Sequence, residues 1–96
     1  MKILWARIAL RHLSEAREYL ELENPEAAIR QIDLIERTVQ RISLFPMMGR
    51  TGMRAGTREF PVPGTPYILV YRVGEDRLEI LAVLHGVRDW KHESES

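Results

Sequence analysis

Two proline breaks, each closing an apolar stripe of helical period, constrain this chain more than any other feature. From Arg7 to Glu23 the residues Ala9, Leu13, Ala16 and Leu20 recur at spacings of four, three and four, the single stripe of an amphipathic helix. Asn24-Pro25 ends it. Proline disfavours helical geometry at the residue before it but suits the first position of a new helix, which the Asn24 side chain can cap. A second stripe, Ala28, Ile32, Ile35, Val39 and Ile42, then runs to Phe45-Pro46, where the missing N–H and the ring make continuation costly. Two helices joined by so tight a break form an antiparallel hairpin, and their stripes need a common surface to cover.

The C-terminal half supplies that surface. Phe60 to Val62, Tyr67 to Val73 and Arg77 to His85 are rich in β-branched and aromatic residues and are separated by Pro63-Gly64-Thr65-Pro66 and Gly74-Glu75-Asp76. They read as an antiparallel meander. In the middle strand Ile68 and Val70 oppose Tyr67, Leu69, Tyr71 and Val73, so both faces are apolar and the strand is central. The last strand places Leu78, Ile80, Ala82 and Leu84 on one face and Glu79, Leu81, Val83 and His85 on the other. Lys2 to Ala6 reads as a further strand, and Met47 to Gly56, with three glycines and two arginines, as a mobile loop. The expected fold is α+β: an N-terminal strand and a helix hairpin packed on a C-terminal β-meander, with residues 1–90 as one domain and 91–96 as a polar tail.

Composition narrows the function classes. Ninety-six residues suit one core, and 45% hydrophobic with 29% charged residues exclude a disordered chain. Absence of cysteine excludes disulfides and fits a reducing compartment. The start of the chain is broken by Arg7, Arg11 and His12, so neither a signal peptide nor a membrane span is expected, and the cytoplasm is the expected location. Net charge is zero but unevenly spread. Seven acids lie between Glu15 and Glu36, whereas Arg37, Arg41, Arg50, Arg54 and Arg58 follow with no acid among them. Twelve of the fourteen basic residues are arginine, whose planar fork suits phosphate or carboxylate.

Specific chemistry is sparse. Three scattered histidines without cysteine have no metal-ligand spacing, and the glycines from Gly49 to Gly56 lack a nucleotide-binding pattern, so no cofactor or metal is expected. Ser14 and Ser43 fall in helices, which leaves no serine nucleophile. His85-Gly86-Val87-Arg88-Asp89-Trp90 puts an imidazole, a guanidinium, a carboxylate and an indole at a strand end. Imidazole can move protons in phosphodiester cleavage, and arginines can stabilise the phosphorane. The structural reading, in which His85 caps the sheet and Trp90 closes the core, is the preferred one, because no second acid or base lies nearby in sequence.

The element order, together with Asn24-Pro25, Phe45-Pro46-Met47-Met48-Gly49-Arg50, Gly56-Thr57-Arg58-Glu59, Pro66-Tyr67-Ile68-Leu69-Val70-Tyr71-Arg72-Val73 and Val83-Leu84-His85-Gly86-Val87-Arg88-Asp89, resembles the RelE/ParE family of toxins from residue 2 to about residue 90. The resemblance implies the toxin half of a type II toxin-antitoxin pair, cytoplasmic and held by a cognate antitoxin encoded beside it, with operator DNA reached only through that antitoxin. RelE-like members cut messenger RNA on the ribosome, whereas ParE-like members poison DNA gyrase. In the RNA-cleaving branch an arginine follows the first tyrosine of the middle strand and a tyrosine commonly ends the last motif; here those places hold Ile68 and Trp90. Isoleucine cannot pair with phosphate and indole cannot act as a phenol would, so a ParE-like target is favoured. Were the chain a nuclease, His85, Arg58 and Arg88 would be its catalytic candidates. Arg50, Arg54, Arg58 and Arg88 are the candidates for contact with the target or with phosphate. A degenerate member that binds only its antitoxin is a third reading. Leu10, Tyr19 and Leu22 lie outside the first helix's main stripe and are the candidates for antitoxin contact.

Overall fold

The computed structural model describes residues 1–87. Strand β1 (Lys2–Trp5) leads directly into α1 (Arg7–Glu23), followed by α2 (Pro25–Leu44), a single 3₁₀ turn (Pro46–Met48), and strands β2 (Arg50–Thr51), β3 (Arg58–Pro61), β4 (Tyr67–Val73) and β5 (Arg77–His85). The five strands form one mixed sheet in the order β1-β5-β4-β3-β2, with β1 parallel to β5 and every other pair antiparallel. β4 is thus central, as its two apolar faces predict.

The break between the helices forms as the sequence dictates. Asn24 is extended, and its side-chain oxygen accepts from the Glu26 and Ala27 N–H groups at 3.0 and 3.2 Å, with Pro25 at the first helical position. α1 has no side-chain cap at Ala6; pairing of β1 with β5 delivers the chain into it, the Ala6 N–H donating to Ile80 O at 2.9 Å. That bond leaves Ala6 at the helix start, so the strand ends at Trp5, one residue earlier than the sequence suggests.

Both helices cover one face of the sheet. Ala9, Ala16, Ile32, Ile35, Val39 and Ile42 pack with Tyr67, Leu69, Tyr71, Leu78, Ile80 and Val83 into one core. Two strand expectations need correction. β3 begins at Arg58 rather than Phe60, because Arg58 and Glu59 pair with Thr51 and Arg50 of β2. In β5 the predicted faces hold only as far as Ile80. The register passes from Tyr71 opposite Ile80 to Val70 opposite Ala82, so Leu81 is an inserted bulge residue. One extra residue reverses every side chain beyond it. Val83 therefore joins the core face opposite Leu69, whereas Ala82 and Leu84 turn to the other face with Val70 and Ile68. The bulge is tied to the helix layer, since the Val83 N–H donates to His12 Nδ1 of α1 at 3.2 Å.

Candidate functional site

Between α2 and β3 the sequence suggests a mobile loop, but the structure holds this segment as a pinned corner. Pro46 starts the 3₁₀ turn, and the Tyr71 hydroxyl of β4 fastens its far end, donating to the Pro46 carbonyl at 2.8 Å and accepting the Gly49 N–H at 2.9 Å. Gly49 is required there. A Cβ would meet the Tyr71 hydroxyl and would lie 2.9 Å from the Glu59 carbonyl. Burial raises the Tyr71 phenol above its ordinary value of 10.0, against the smaller opposing effects of the Gly49 hydrogen bond and the Arg58 charge.

The hairpin beyond is fastened by charge. Glu59 is 3% exposed, and its carboxylate accepts from Arg50 Nε at 3.1 Å and from the Met53 N–H at 3.0 Å. Arg58 donates to the Gly49 carbonyl at 2.7 Å. The turn closes through Gly52 N–H to Thr57 O at 2.8 Å and Thr57 Oγ1 to Arg54 O at 2.7 Å, with Gly56 at a φ of +79° that side-chain-bearing residues rarely adopt. A glycine-rich segment is mobile only if nothing outside it accepts its backbone groups. Here one tyrosine and one glutamate, both from other strands, do so.

The structure brings Arg50, Arg54 and Arg58 to this one hairpin, and all three help to hold it, Arg54 through its carbonyl. His85 is elsewhere. It ends β5 opposite Tyr67, with the two rings edge to face at 5.7 Å, whereas Arg58 lies opposite Tyr71 on the other side of β4. Four residues of strand and two strand spacings separate their backbones by about 16 Å. Arg88 lies outside the described residues, as do Asp89, Trp90 and the expected tail. Ile68 sits on the face away from the helices, between Pro61 and Leu84 in the sheet register.

On α1, Leu10, Tyr19 and Leu22 are exposed, but they do not share a surface. At about 100° per residue Leu10 and Tyr19 project from opposite flanks of the helix. Tyr19 and Leu22 instead align with Ile8, also exposed, which the sequence reading left out. A second missed group lies at the corner, where Leu44, Phe45, Met47 and Met53 are 60–73% exposed. The available signal was that Leu44 and Phe45 fall off the stripe of α2 immediately before a proline. A shallow cleft of about 250 Å³ between the helices is lined by Arg17, Glu21, Ile29, Ile32, Asp33 and Glu36. It is smaller than the usual small-molecule site. Among the described residues no cluster of three metal-ligating side chains occurs, and no helix is long and apolar enough to cross a membrane.

The sequence and the fold have counterparts among known proteins. Residues 3–90 match the family model described as the ParE toxin of the type II toxin-antitoxin system parDE. A protein described as a toxin, Y4kP of Sinorhizobium fredii, is 38% identical over 89 residues, covering 93% of this chain and 92% of the relative. Toxin ParE3 of Caulobacter vibrioides is 33% identical over 72 residues, covering 73% of this chain and 70% of its own. Among solved structures, a chain of the chromosomal ParDE system from P. aeruginosa superposes with a TM-score of 0.80 at 22% identity, over 88% of this chain and 95% of that one. A YoeB/ParE toxin from Agrobacterium tumefaciens gives 0.61 at 19% identity, over 88% and 98%, and these two likenesses bear on the fold. With the family model spanning nearly the full chain and two relatives above 30% identity, the protein is a member of the ParE family of type II toxin-antitoxin toxins.

Proposed function

We propose that this toxin arrests growth in the cytoplasm by binding and poisoning DNA gyrase rather than by cutting messenger RNA on the ribosome. The observation that carries this reading is the separation of His85 from Arg58. A general acid-base group and the cation that stabilises phosphorane charge must converge on one phosphate. Here about 16 Å of sheet lies between their backbones, and the Arg58 guanidinium is held by the Gly49 carbonyl. Arg50, Arg54 and Arg58, gathered on the pinned hairpin, contact the target. A cognate antitoxin, as in the ParDE module of the structural counterpart, neutralises the chain, with Tyr19 and Leu22 among its contacts and Leu10 on the opposite flank of the helix.

Inducing the chain without its antitoxin and following labelled thymidine and labelled amino-acid incorporation over the first minutes tests the target. The expected result is an early fall in DNA synthesis while translation continues. Early collapse of protein synthesis would transfer the assignment to the ribosome.

A further inference from the structure

Four large apolar side chains gather at one corner of the molecule. Leu44 ends α2, Phe45 follows it, Met47 lies in the 3₁₀ turn and Met53 sits on the hairpin beyond, each 60–73% exposed. The corner is fixed, because the Tyr71 hydroxyl holds Pro46 and Gly49 and the Glu59 carboxylate holds the Met53 N–H. At roughly 200 Å² for a large side chain, this exposure presents about 500 Å² of apolar surface, unlike the scattered single residues of an ordinary surface. Arg41, Arg50, Arg54 and Arg58 stand around it, the first three exposed. The acid among them, Glu59, is 3% exposed and paired with Arg50. The β4–β5 turn brings Glu75 and Asp76 to the same end of the sheet, where Lys2 and Arg77 lie beside them at the paired ends of β1 and β5. The corner is therefore an apolar centre with a basic rim.

We propose that this corner is the seat of the gyrase contact, its four apolar side chains entering a site on the enzyme whose apolar floor is ringed by carboxylates. The inference rests on the gyrase reading and deepens it, since it assigns most of the affinity to Leu44, Phe45, Met47 and Met53 and leaves encounter and orientation to the arginines. Rim charge selects the partner. The exposed Tyr19 and Leu22 of α1 lie at the other end of the hairpin, about 30 Å along α2 from Leu44, among Glu15, Glu18, Glu21 and Glu23. A site ringed by carboxylates accepts the basic corner and repels that acidic end, so the surface assigned to the antitoxin and the surface assigned to the target are distinct. Composition agrees, because aromatic residues, methionine and arginine are enriched at the centres of protein interfaces and acids are depleted there. With its rim the corner approaches the ~800 Å² that one partner contributes to an interface of standard size. The Tyr71 and Glu59 attachments gain a purpose: side chains fixed before binding lose little further freedom on docking.

Titration of the full chain with purified bacterial gyrase holoenzyme, at low and at high salt, and in parallel with the cognate antitoxin, tests the inference. Phe45→Ser and Met53→Ser should each weaken gyrase binding about tenfold without changing its salt dependence, and together they should abolish growth arrest. Arg41→Gln should cost only a few-fold and make the salt dependence shallower. Ile29→Ser removes an equally exposed apolar side chain elsewhere on α2, at 74%, and should leave gyrase binding unchanged. Antitoxin affinity should stay within about threefold of the parent in all four chains, and because every substituted side chain is exposed, each should unfold in urea at the parent's midpoint. A parent that binds gyrase while Phe45→Ser and Met53→Ser bind as tightly would overturn this inference and leave the gyrase reading standing. So would an equal loss in Ile29→Ser, or corner variants that lose the antitoxin and keep gyrase. A parent that binds no gyrase would overturn both.

Discussion

The two ends of β4 carry the same residue type on the same face and use it differently. At one end Tyr67, 3% exposed, meets His85 edge to face, a contact of ring against ring. At the other end Tyr71 is fully buried and its hydroxyl holds both Pro46 and Gly49, the beginning and end of the 3₁₀ turn. The first arrangement supports local packing. The second transmits the position of the sheet centre to a peripheral hairpin, where Arg58 and the Glu59 carboxylate complete the attachment. A buried polar group tied to backbone fixes geometry more strictly than an apolar contact of similar size, because leaving its partners unpaired is costly.

If this contrast is right, the largest effect comes from Gly49→Ala. The added methyl collides with the Tyr71 hydroxyl and the Glu59 carbonyl, and a loss of about 3 kcal/mol is expected in urea unfolding. A variant as stable as the parent would mean that the corner can yield. Tyr71→Phe comes next, costing about 2 kcal/mol because a buried amide and a carbonyl lose their partner. It also carries a pH signature. The folded phenol titrates above 10.0, so its contribution is complete below pH 10 and is lost as pH rises through the higher folded value. The parent should therefore lose stability above pH 10 more steeply than Tyr71→Phe, and parallel curves would show that the hydroxyl is not held as described. His85→Ala should have the smallest effect, about 1 kcal/mol for the ring pair, with growth arrest retained. Loss of arrest in a folded His85→Ala chain would point to catalysis at His85.

Much of the fold was legible in the residues themselves. The period of Ala9 to Leu20 and of Ala28 to Ile42, the Asn24-Pro25 cap and the Phe45-Pro46 stop all act within a few positions, so the bounds of both helices follow from local rules. β4 and β5 were equally plain, since their composition and turns are also local. The far half of β5 was not, because a single bulge residue at Leu81 changes no composition yet reverses the faces of Val83 and Leu84. The site was legible as a set of arginines but not as an arrangement. Glycines and arginines between Met47 and Gly56 read as mobility, since the groups that remove it, Glu59 and Tyr71, belong to separate strands.

The sequence by itself therefore determined the elements, their order, the charge asymmetry and the motifs that pointed to the family, each written in short-range spacing and side-chain chemistry. Tertiary structure alone decided which residues share a surface. It separated His85 from Arg58, divided Leu10 from Tyr19, and turned a flexible-looking loop into a fixed corner. The physical reason is that strand register and long-range hydrogen bonds, such as Tyr71 to residues more than twenty positions away, depend on how the sheet assembles rather than on any neighbour in sequence.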